Sequence, residues 1–196
     1  MIKVSNLTLK YGNTRDFSFN FPEHGFVVIT GESGAGKTTF LRCLSGLLPP
    51  SEGEVSCLPE NIAVVFQDDR LLPWYNAVDN IKAVVPYLKG EEVAINKIII
   101  ETLSSLGLSG EDVKRLPAEL SGGQQRRVAI ARALVYQKLC GAGLLVLDEP
   151  FSGLDDDNKA RVMAKLSLVA SAIPVVIATH DLEPLAEVAE YQELSL

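Results

Sequence analysis

Residues 26–40 read FVVITGESGAGKTTF, and this stretch determines the fold class. The first five residues form a short apolar run, which is typical of a strand buried in a parallel sheet. GESGAGKT at 31–38 follows that run, and a series of apolar residues at helical spacing comes next. A strand, then the pattern G-x-x-x-x-G-K-[ST], then a helix is the context in which a phosphate-binding loop forms. We therefore predict an α/β protein that binds a nucleoside triphosphate.

The loop supplies the groups that phosphates need. Its glycines let backbone N–H groups turn inward, and the new helix adds its positive N-terminal end. The Lys37 ammonium can reach the β- and γ-phosphates, and the Thr38 hydroxyl is placed to ligate Mg²⁺. The predicted phosphate contacts are Gly31, Ser33, Gly34, Ala35, Gly36, Lys37, Thr38 and Thr39. Neither Asn-Lys pair, at 96–97 and 158–159, is followed by Asp two positions on, which argues against a GTPase.

Composition narrows the class further. Hydrophobic residues make up 47% of the 196-residue chain, so a sizeable core is available and disorder is not expected. The net charge of −7 argues against a nucleic-acid-binding protein. The first ten residues carry no apolar run behind their charge, so a signal peptide is not expected, and no apolar run is long enough to span a bilayer. Cys43, Cys57 and Cys140 are widely spaced, which predicts three reduced thiols acting as small core residues.

Periodicity predicts how the rest of the chain is organised. The first 21 residues alternate around a Tyr11-Gly12 turn signal, which predicts an antiparallel hairpin. Further buried strands are predicted at 62–66, 144–148 and 175–179, and helices at 76–88, 92–106, 123–138, 156–171 and 182–190, with the helix from Lys37 ending at the prolines 49–50. Strands separated by helices predict a mostly parallel sheet. We expect a single domain over 1–196, with a nucleotide-binding core at 1–70 and 125–196 and an inserted helical lobe at 71–124.

Polar residues follow several of the predicted buried strands. Asp148 and Glu149 end LLVLDEP, where α/β proteins place ligands. The first carboxylate is expected to hold the Mg²⁺ hydration shell, and the second can polarise an attacking water. Alternatively, Glu149 only begins a solvated turn. Gln67, His180 and Asp155 also lie at or soon after strand ends, although each also fits a loop or helix-capping role.

LSGGQQRRVAI at 120–130 places two glycines at the beginning of a predicted helix. Glycine is a poor helix former, so the propensity of these residues does not explain their position. Amides without side chains at a helix N-terminus form an anion site that another surface can approach closely. A flexible loop that happens to begin a helix is the alternative.

Together these motifs resemble the ATP-binding subunit of the ABC transporters over about residues 4–190. GESGAGKT is similar to Walker A, LLVLDE to Walker B, LSGGQ to the signature motif, SGLD to the D-loop, Gln67 to the Q-loop and His180 to the switch histidine. The signature is the most specific of these, because other phosphate-loop families lack it. The resemblance implies an ATPase with a P-loop NTPase core, an N-terminal antiparallel β region and an inserted α-helical lobe.

The resemblance also implies roles for single residues. Two subunits pack head to tail, so that the partner's ATP meets the signature and D-loop residues Ser121, Gly122, Gly123, Gln124 and Asp155. Glu149 is implied as the catalytic base, His180 as a contact to the γ-phosphate, and Gln67 as a contact to Mg²⁺ and the attacking water. Mg²⁺ is then held by Thr38, Gln67 and Asp148. Tyr11 is implied to stack on adenine, although a core tyrosine in the hairpin is an alternative.

The segment QDDRLLPWYNAVDNI at 67–81 resembles importer subunits for nitrate, sulfonates and taurine. Trp74 and Tyr75 are then expected either to contact a transmembrane subunit or to lie in the core of the lobe. This resemblance implies separate permease subunits, a solute-binding protein, and a peripheral position on the cytoplasmic side of the inner membrane. An exporter subunit and a DNA-repair or translation ATPase are the alternatives. The heads of DNA-repair ATPases are split by far longer insertions, and translation factors usually carry two cassettes in one chain.

Overall fold

The computed structural model describes residues 1–11, 16–85, 91–186 and 190–196. Its strands are β1 (Lys3–Thr8), β2 (Phe17–Asn20), β3 (Gly25–Thr30), β4 (Glu52–Ser56), β5 (Ile62–Val65), β6 (Leu144–Asp148), β7 (Pro174–Ala178) and β8 (Tyr191–Ser195). Its α-helices are α1 (Lys37–Leu44), α2 (Ala77–Lys82), α3 (Glu92–Ser105), α4 (Gly122–Cys140) and α5 (Asp156–Ala170). Short 3₁₀ turns span Asp112–Lys114, Pro117–Glu119 and Glu183–Leu185.

A five-stranded sheet with the order β5-β6-β7-β3-β8 forms the centre of the fold. Each neighbouring pair in it is parallel. Successive residues of β3 point to opposite faces, so that Phe26 and Val28 pack in one apolar cluster and Val27 and Ile29 in the other. Both faces are covered, which is why the predicted strands are continuous apolar runs. The predicted mostly parallel α/β core is confirmed.

A second sheet, with the order β2-β1-β4, is antiparallel. The predicted hairpin is confirmed by the pairing of β1 with β2, while Gly12 of the predicted turn falls outside the described residues. Periodicity did not predict β4, because its sequence EGEVS is mostly polar and exposed. Gly53 in β4 has a φ of 78°, and a Cβ there would come within 2.3 Å of the Asn6 carbonyl oxygen. Only glycine allows β4 to approach β1 this closely.

Several predicted boundaries were wrong. α1 ends at Leu44, before the prolines, because Gly46 with a φ of 72° terminates it in a left-handed conformation. The predicted helix 182–190 is replaced, where the structure describes it, by the turn at Glu183–Leu185, and residues 187–189 lie outside the described residues. The strand β8 that follows was not predicted. It lies at the edge of the sheet, and its polar sequence YQELS is only half covered.

The prediction that all three cysteines are core residues was also wrong. Cys43 is buried, Cys140 is half-buried and Cys57 is exposed, and all three are free thiols. Cys57 has a φ of 57°, so it lies in a tight turn after β4 rather than in a strand facing the core.

The described residues between 71 and 124 contain α2, α3, two 3₁₀ turns and the beginning of α4, with no strand. The predicted helix 76–88 is observed only as α2, and residues 86–88 lie outside the described ranges. α2 and α3 both contact α4. Within the described ranges, none of the helices has the length and apolar character needed to cross a bilayer.

Candidate functional site

The loop between β3 and α1 lies at the carboxyl edge of the parallel sheet. Gly31, Gly34 and Gly36 have φ values of 143°, 85° and 111°, which residues with a side chain rarely adopt. The loop borders a cavity of about 470 Å³. The residues that line this cavity are Tyr11, Gly31, Ser33, Gly34, Gly36, Lys37, Thr38, Thr39, Gln67, Asp148, Glu149 and His180. The fold therefore brings most of the predicted phosphate, base and metal residues around one space.

Ala35 is the predicted loop residue outside that lining. It is largely buried, and its amide donates to the Glu32 carbonyl at 3.2 Å, so it shapes the turn of the loop. The Lys37 ammonium lies over the loop, where it donates to the carbonyls of Gly31 at 2.7 Å and Glu32 at 3.1 Å. A compact cation is thus already held at the loop that is predicted to surround phosphates.

Thr38 and Asp148 meet at the base of the cavity. The Thr38 hydroxyl donates to Asp148 Oδ2 at 2.8 Å and so joins the beginning of α1 to the end of β6. Asp148 is 5% exposed, and this burial raises the pKa of its carboxyl, while the hydrogen bond from Thr38 lowers it. Gln67 follows β5, the strand next to β6, so its side chain reaches the same cavity.

Glu149 is held rather than solvated. Its backbone has a φ of 50°, and its amide donates to the Ala178 carbonyl at 2.8 Å. The carboxylate Oε2 lies 2.9 Å from His180 Nδ1 and 3.3 Å from the Thr179 hydroxyl. A non-glycine residue at positive φ is uncommon and is tolerated where the surroundings impose it. The geometry thus favours a functional carboxylate over a turn residue.

The turn at His180 is anchored by an ion pair. The Lys159 ammonium, on α5, lies 2.8 Å from Asp181, which directly follows His180. The Thr179 hydroxyl also accepts from the Asp181 amide at 3.0 Å. The Lys159 hydrogen bond lowers the pKa of the Asp181 carboxyl. α5 therefore helps to fix the segment that carries the histidine.

We predict that Lys159→Met destabilises the protein in a pH-dependent manner. Because the folded-state pKa of Asp181 is depressed, the stabilisation is present above the ordinary carboxyl pKa and is lost as the pH falls through the depressed value. The difference in the free energy of unfolding between wild type and variant should therefore narrow in acid. Urea titrations from pH 7 to pH 3 measure it, and Lys97→Met is the control, because the Lys97 side chain on α3 is 75% exposed. A difference that stays constant over this range would contradict the ion-pair assignment.

Tyr11 is 62% exposed and lines the cavity, so its ring is not a core residue of the hairpin. The Lys10 ammonium lies 5.6 Å from the centre of that ring. The ring is thus available to a planar ligand at the mouth of the cavity. This position fits the predicted adenine contact.

The signature residues border a separate concave surface. Ser121, Gly122, Gly123 and Asp155 line it, together with Asp69, Arg126, Arg127, Ser152, Gly153, Leu154 and Asn158. None of these residues lines the phosphate-loop cavity described above. The fold therefore divides the predicted ATP contacts between two surfaces.

Ser121 is the N-cap of α4. Its hydroxyl accepts from the Gln124 amide at 3.2 Å, and the Gln124 side-chain oxygen accepts from the Ser121 amide at 2.9 Å, which completes a capping box. The amides of Gly122 and Gly123 precede the first intrahelical hydrogen bond, which Gln125 donates to the Ser121 carbonyl.

The two glycines of the signature have different surroundings. A Cβ on Gly122 would meet nothing within 4 Å, whereas a Cβ on Gly123 would lie 2.8 Å from the Gly153 carbonyl oxygen. Gly123 is thus required for close packing within the chain, and Gly122 keeps an open surface. Asp155 caps α5 by accepting from the Asn158 amide at 2.9 Å.

Sequence reasoning missed three residues that support the site. Thr179 and Lys159 act on the turn at His180, and Arg126 bonds to the backbone at Gln67. Arg126 could have been identified from the sequence, because two adjacent arginines precede an apolar helical run. No signal marked Lys159, because its partner is distant in the sequence.

Comparison with known proteins agrees with this geometry. The family model described as ABC transporter matches residues 14–152. The aliphatic sulfonates import ATP-binding proteins SsuB 1 of Paracoccus denitrificans and SsuB 2 of Paraburkholderia xenovorans are 37% and 40% identical, over 93% and 96% of this chain and 74% of each relative. The cell division ATP-binding protein FtsE of Mycobacterium tuberculosis is 35% identical, over 92% of this chain and 86% of its own.

Two solved structures of one cassette also match. The dimeric structure of that bacterial ABC transporter cassette has a TM-score of 0.83 and 30% identity, covering 100% of this chain and 94% of its own. A dimeric post-hydrolysis state of the same cassette, bound to ADP and Pi, has a TM-score of 0.80 and 30% identity, covering 94% and 90%.

The fold and the phosphate loop define a P-loop nucleoside triphosphatase. The signature, together with the family match over more than half of the chain, makes the assignment more specific. The chain belongs to the ABC transporter family, as an ATP-binding and ATP-hydrolysing subunit whose hydrolysis powers transport.

Proposed function

We propose that two copies of this chain, or this chain and a related subunit, enclose two ATP molecules between them and drive import of a small solute. The observation that carries the proposal is the division of phosphate-binding groups between two surfaces of one chain. Lys37 and its loop border one surface, while Ser121 and Gly122 border the other. Each surface holds half of a site, and a second copy related by two-fold symmetry supplies the other half.

Within one copy, the loop amides and Lys37 bind the β- and γ-phosphates, and Tyr11 stacks on adenine. The oxygens of Thr38, Gln67 and Asp148 border the same cavity, and hard oxygen ligands of this kind suit Mg²⁺. The short Thr38–Asp148 contact brings two such oxygens together at the end of β6. When bound, the cation would neutralise charge on the phosphates.

Glu149 acts as the general base for the attacking water. Its carboxylate is fixed by the contacts at Oε2 and is 16% exposed, so it faces the cavity with limited solvation. His180 is 76% exposed on the cavity side, where it can contact the γ-phosphate. Gln67 orients the water. An ordered base of this kind lowers the barrier because the proton acceptor is already in place.

At the other surface, Ser121, the amide of Gly122 and the neighbouring Gly123, Gln124 and Asp155 contact the partner's ATP. The exposed amides lie at the N-terminus of a 19-residue helix, where the backbone attracts anions. ATP therefore favours the closed pair, because it gains these contacts only when the second copy is present.

Ser121→Arg tests this arrangement. We expect turnover to fall at least about 100-fold, because a bulky side chain blocks the closed pair, while ATP affinity of the monomer stays within about twofold of wild type. Steady-state hydrolysis and titration with a fluorescent ATP analogue measure these two quantities. Asn76→Arg is a matched control, since Asn76 caps α2 in the same way and lines neither surface. Loss of ATP affinity in the Ser121→Arg monomer would place Ser121 in its own chain's site and contradict the sandwich.

The exposure of Trp74 and Tyr75 supports a contact with a membrane subunit. They are 67% and 40% exposed, which favours the partner-facing prediction over the core prediction. Asn80 is buried and holds their loop, since its side chain bonds to the backbone of Leu72 and Tyr75. Exposed aromatics on an ordered loop are common anchors of protein interfaces. We propose that this loop, which lies on the proposed helical lobe 71–124, contacts a separate permease subunit.

The subunit would thus lie peripherally on the cytoplasmic side of the inner membrane, served by a solute-binding protein. The relatives named for aliphatic sulfonates support an organic sulfonate as the solute. Because the solute is selected by other subunits, co-purification of this chain with membrane subunits from its source tests the assignment. Recovery of a cell-division complex instead would contradict it.

A further inference from the structure

Two arginines of α4 hold the backbone of the loop that follows β5. The two terminal nitrogens of Arg126 donate to the carbonyls of Phe66, at 2.7 Å, and of Gln67. Arg132 donates in the same way to the carbonyls of residues 69 and 70, at 2.8 and 2.9 Å. Four carbonyls within five residues are thus bonded to one helix.

Arg126 links α4 firmly to the backbone of the loop that carries Gln67. It is 7% exposed, and its guanidinium lies 3.1 Å from the Asp69 carboxylate, which balances its buried charge. A guanidinium is a planar and rigid fork, so two parallel hydrogen bonds fix both distance and orientation. The contact therefore behaves as a rigid connection rather than a sliding one.

The same helix begins at the second concave surface. Ser121 caps α4 and lies five residues before Arg126, while the Gln67 side chain lines the phosphate-loop cavity. We infer that Arg126 is a positioning residue that makes Gln67 follow α4, so that the partner's ATP at Ser121 sets the placement of Gln67 beside its own chain's ATP. This inference rests on the proposed two-copy arrangement.

The neighbouring Arg127 provides a comparison. It is 8% exposed, yet its guanidinium bonds to the Leu106 carbonyl at 2.9 Å and to the Asn158 side chain at 2.9 Å. These partners lie at the end of α3 and in the first turn of α5. Two adjacent, equally buried arginines therefore differ in the segment that they hold.

The test substitutes lysine at both positions. The side chain that Arg126→Lys introduces is not a fork, because its single ammonium can pair with Asp69 but cannot hold two carbonyls in that geometry. We expect backbone amides in peptides spanning residues 66–72 to exchange with deuterium about tenfold faster than in wild type. In Arg127→Lys the same peptides should stay within about twofold of wild type.

Kinetics provide a second measurement. Misplacing Gln67 affects the reacting water more than the bound nucleotide, so Arg126→Lys should lower kcat about tenfold and change KM less than about threefold. The double variant Arg126→Gln with Asp69→Asn removes the fork without leaving the half-buried Asp69 carboxylate unpaired, and it should give the same loss. It replaces the lysine variant if that variant does not fold.

Two results would overturn the inference. The first is a folded Arg126 variant in which both the amide exchange rates of peptides 66–72 and kcat stay within about twofold of wild type. The other is faster exchange along the whole of α4 in both lysine variants, which indicates a general structural role. Wild-type turnover is measured first, and its absence would contradict the proposed function itself, whereas an active wild type with an unaffected Arg126 variant contradicts only the positioning role.

Discussion

Glu149→Gln is expected to retain ATP binding, to lose at least about 100-fold in kcat, and to accumulate as an ATP-dependent dimer. The substitution keeps the shape of the side chain and removes the negative charge that accepts the proton. ATP then continues to join the two copies, because the contacts at Lys37 and Ser121 are unchanged while hydrolysis, which would reopen the pair, is slowed.

Size-exclusion chromatography with and without Mg-ATP measures the dimer, and release of phosphate measures kcat. Glu101→Gln, an exposed position on α3, is the matched control and should behave as wild type. A Glu149→Gln protein that stays monomeric at saturating ATP would contradict the sandwich. One that hydrolyses ATP at the wild-type rate would remove Glu149 as the base.

Lys37→Ala should lower the affinity for nucleotide by about 100-fold or more. The ammonium is expected to exchange its present bonds to the Gly31 and Glu32 carbonyls for charge-assisted bonds to phosphate oxygens, each stabilising by about 1.5–3 kcal/mol. A loss of about 100-fold corresponds to about 2.8 kcal/mol, which is the size of effect expected when bonds to neutral carbonyls are exchanged for bonds to anionic oxygens.

Titration with a fluorescent ATP analogue measures this affinity. Lys97→Ala makes the same substitution at a residue whose side chain is 75% exposed on α3, and its affinity should not change. Thermal unfolding of Lys37→Ala without nucleotide should match wild type closely, since the Lys37 ammonium, within the described part of the chain, hydrogen-bonds to the Gly31 and Glu32 carbonyls of its own loop. Unchanged affinity in Lys37→Ala would contradict the assignment of the loop.

The proposed arrangement separates the groups that bind ATP from the groups that close the pair of copies. The phosphate loop, Asp148 and Glu149 lie at the carboxyl ends of β3 and β6, whereas Ser121 begins a helix that contacts α2 and α3. Arg126 joins that helix to the loop at Gln67. Under the proposed two-copy arrangement, this connection would couple the presence of a second copy to the chain's own reaction centre.

Local motifs were predictable from the sequence. The phosphate loop was predicted from GESGAGKT, which lies between an apolar run and a helix. This prediction was possible because the glycines and the lysine that such a loop needs all lie within eight consecutive residues. The buried strands β3, β6 and β7 were predictable for a similar reason, since strands covered on both faces are continuous apolar runs.

Only the tertiary structure decided which distant groups meet. The polar strands β4 and β8 are stabilised by pairing with β1 and β3, so nothing in their own periodicity identifies them. The positive φ of Glu149 and the reach of Arg126 to Gln67 depend on how β6 and α4 pack, and Lys159 meets Asp181 across 22 residues. Local patterns encode the groups that are proposed to bind phosphate, whereas the contacts that position those groups arise from long-range packing.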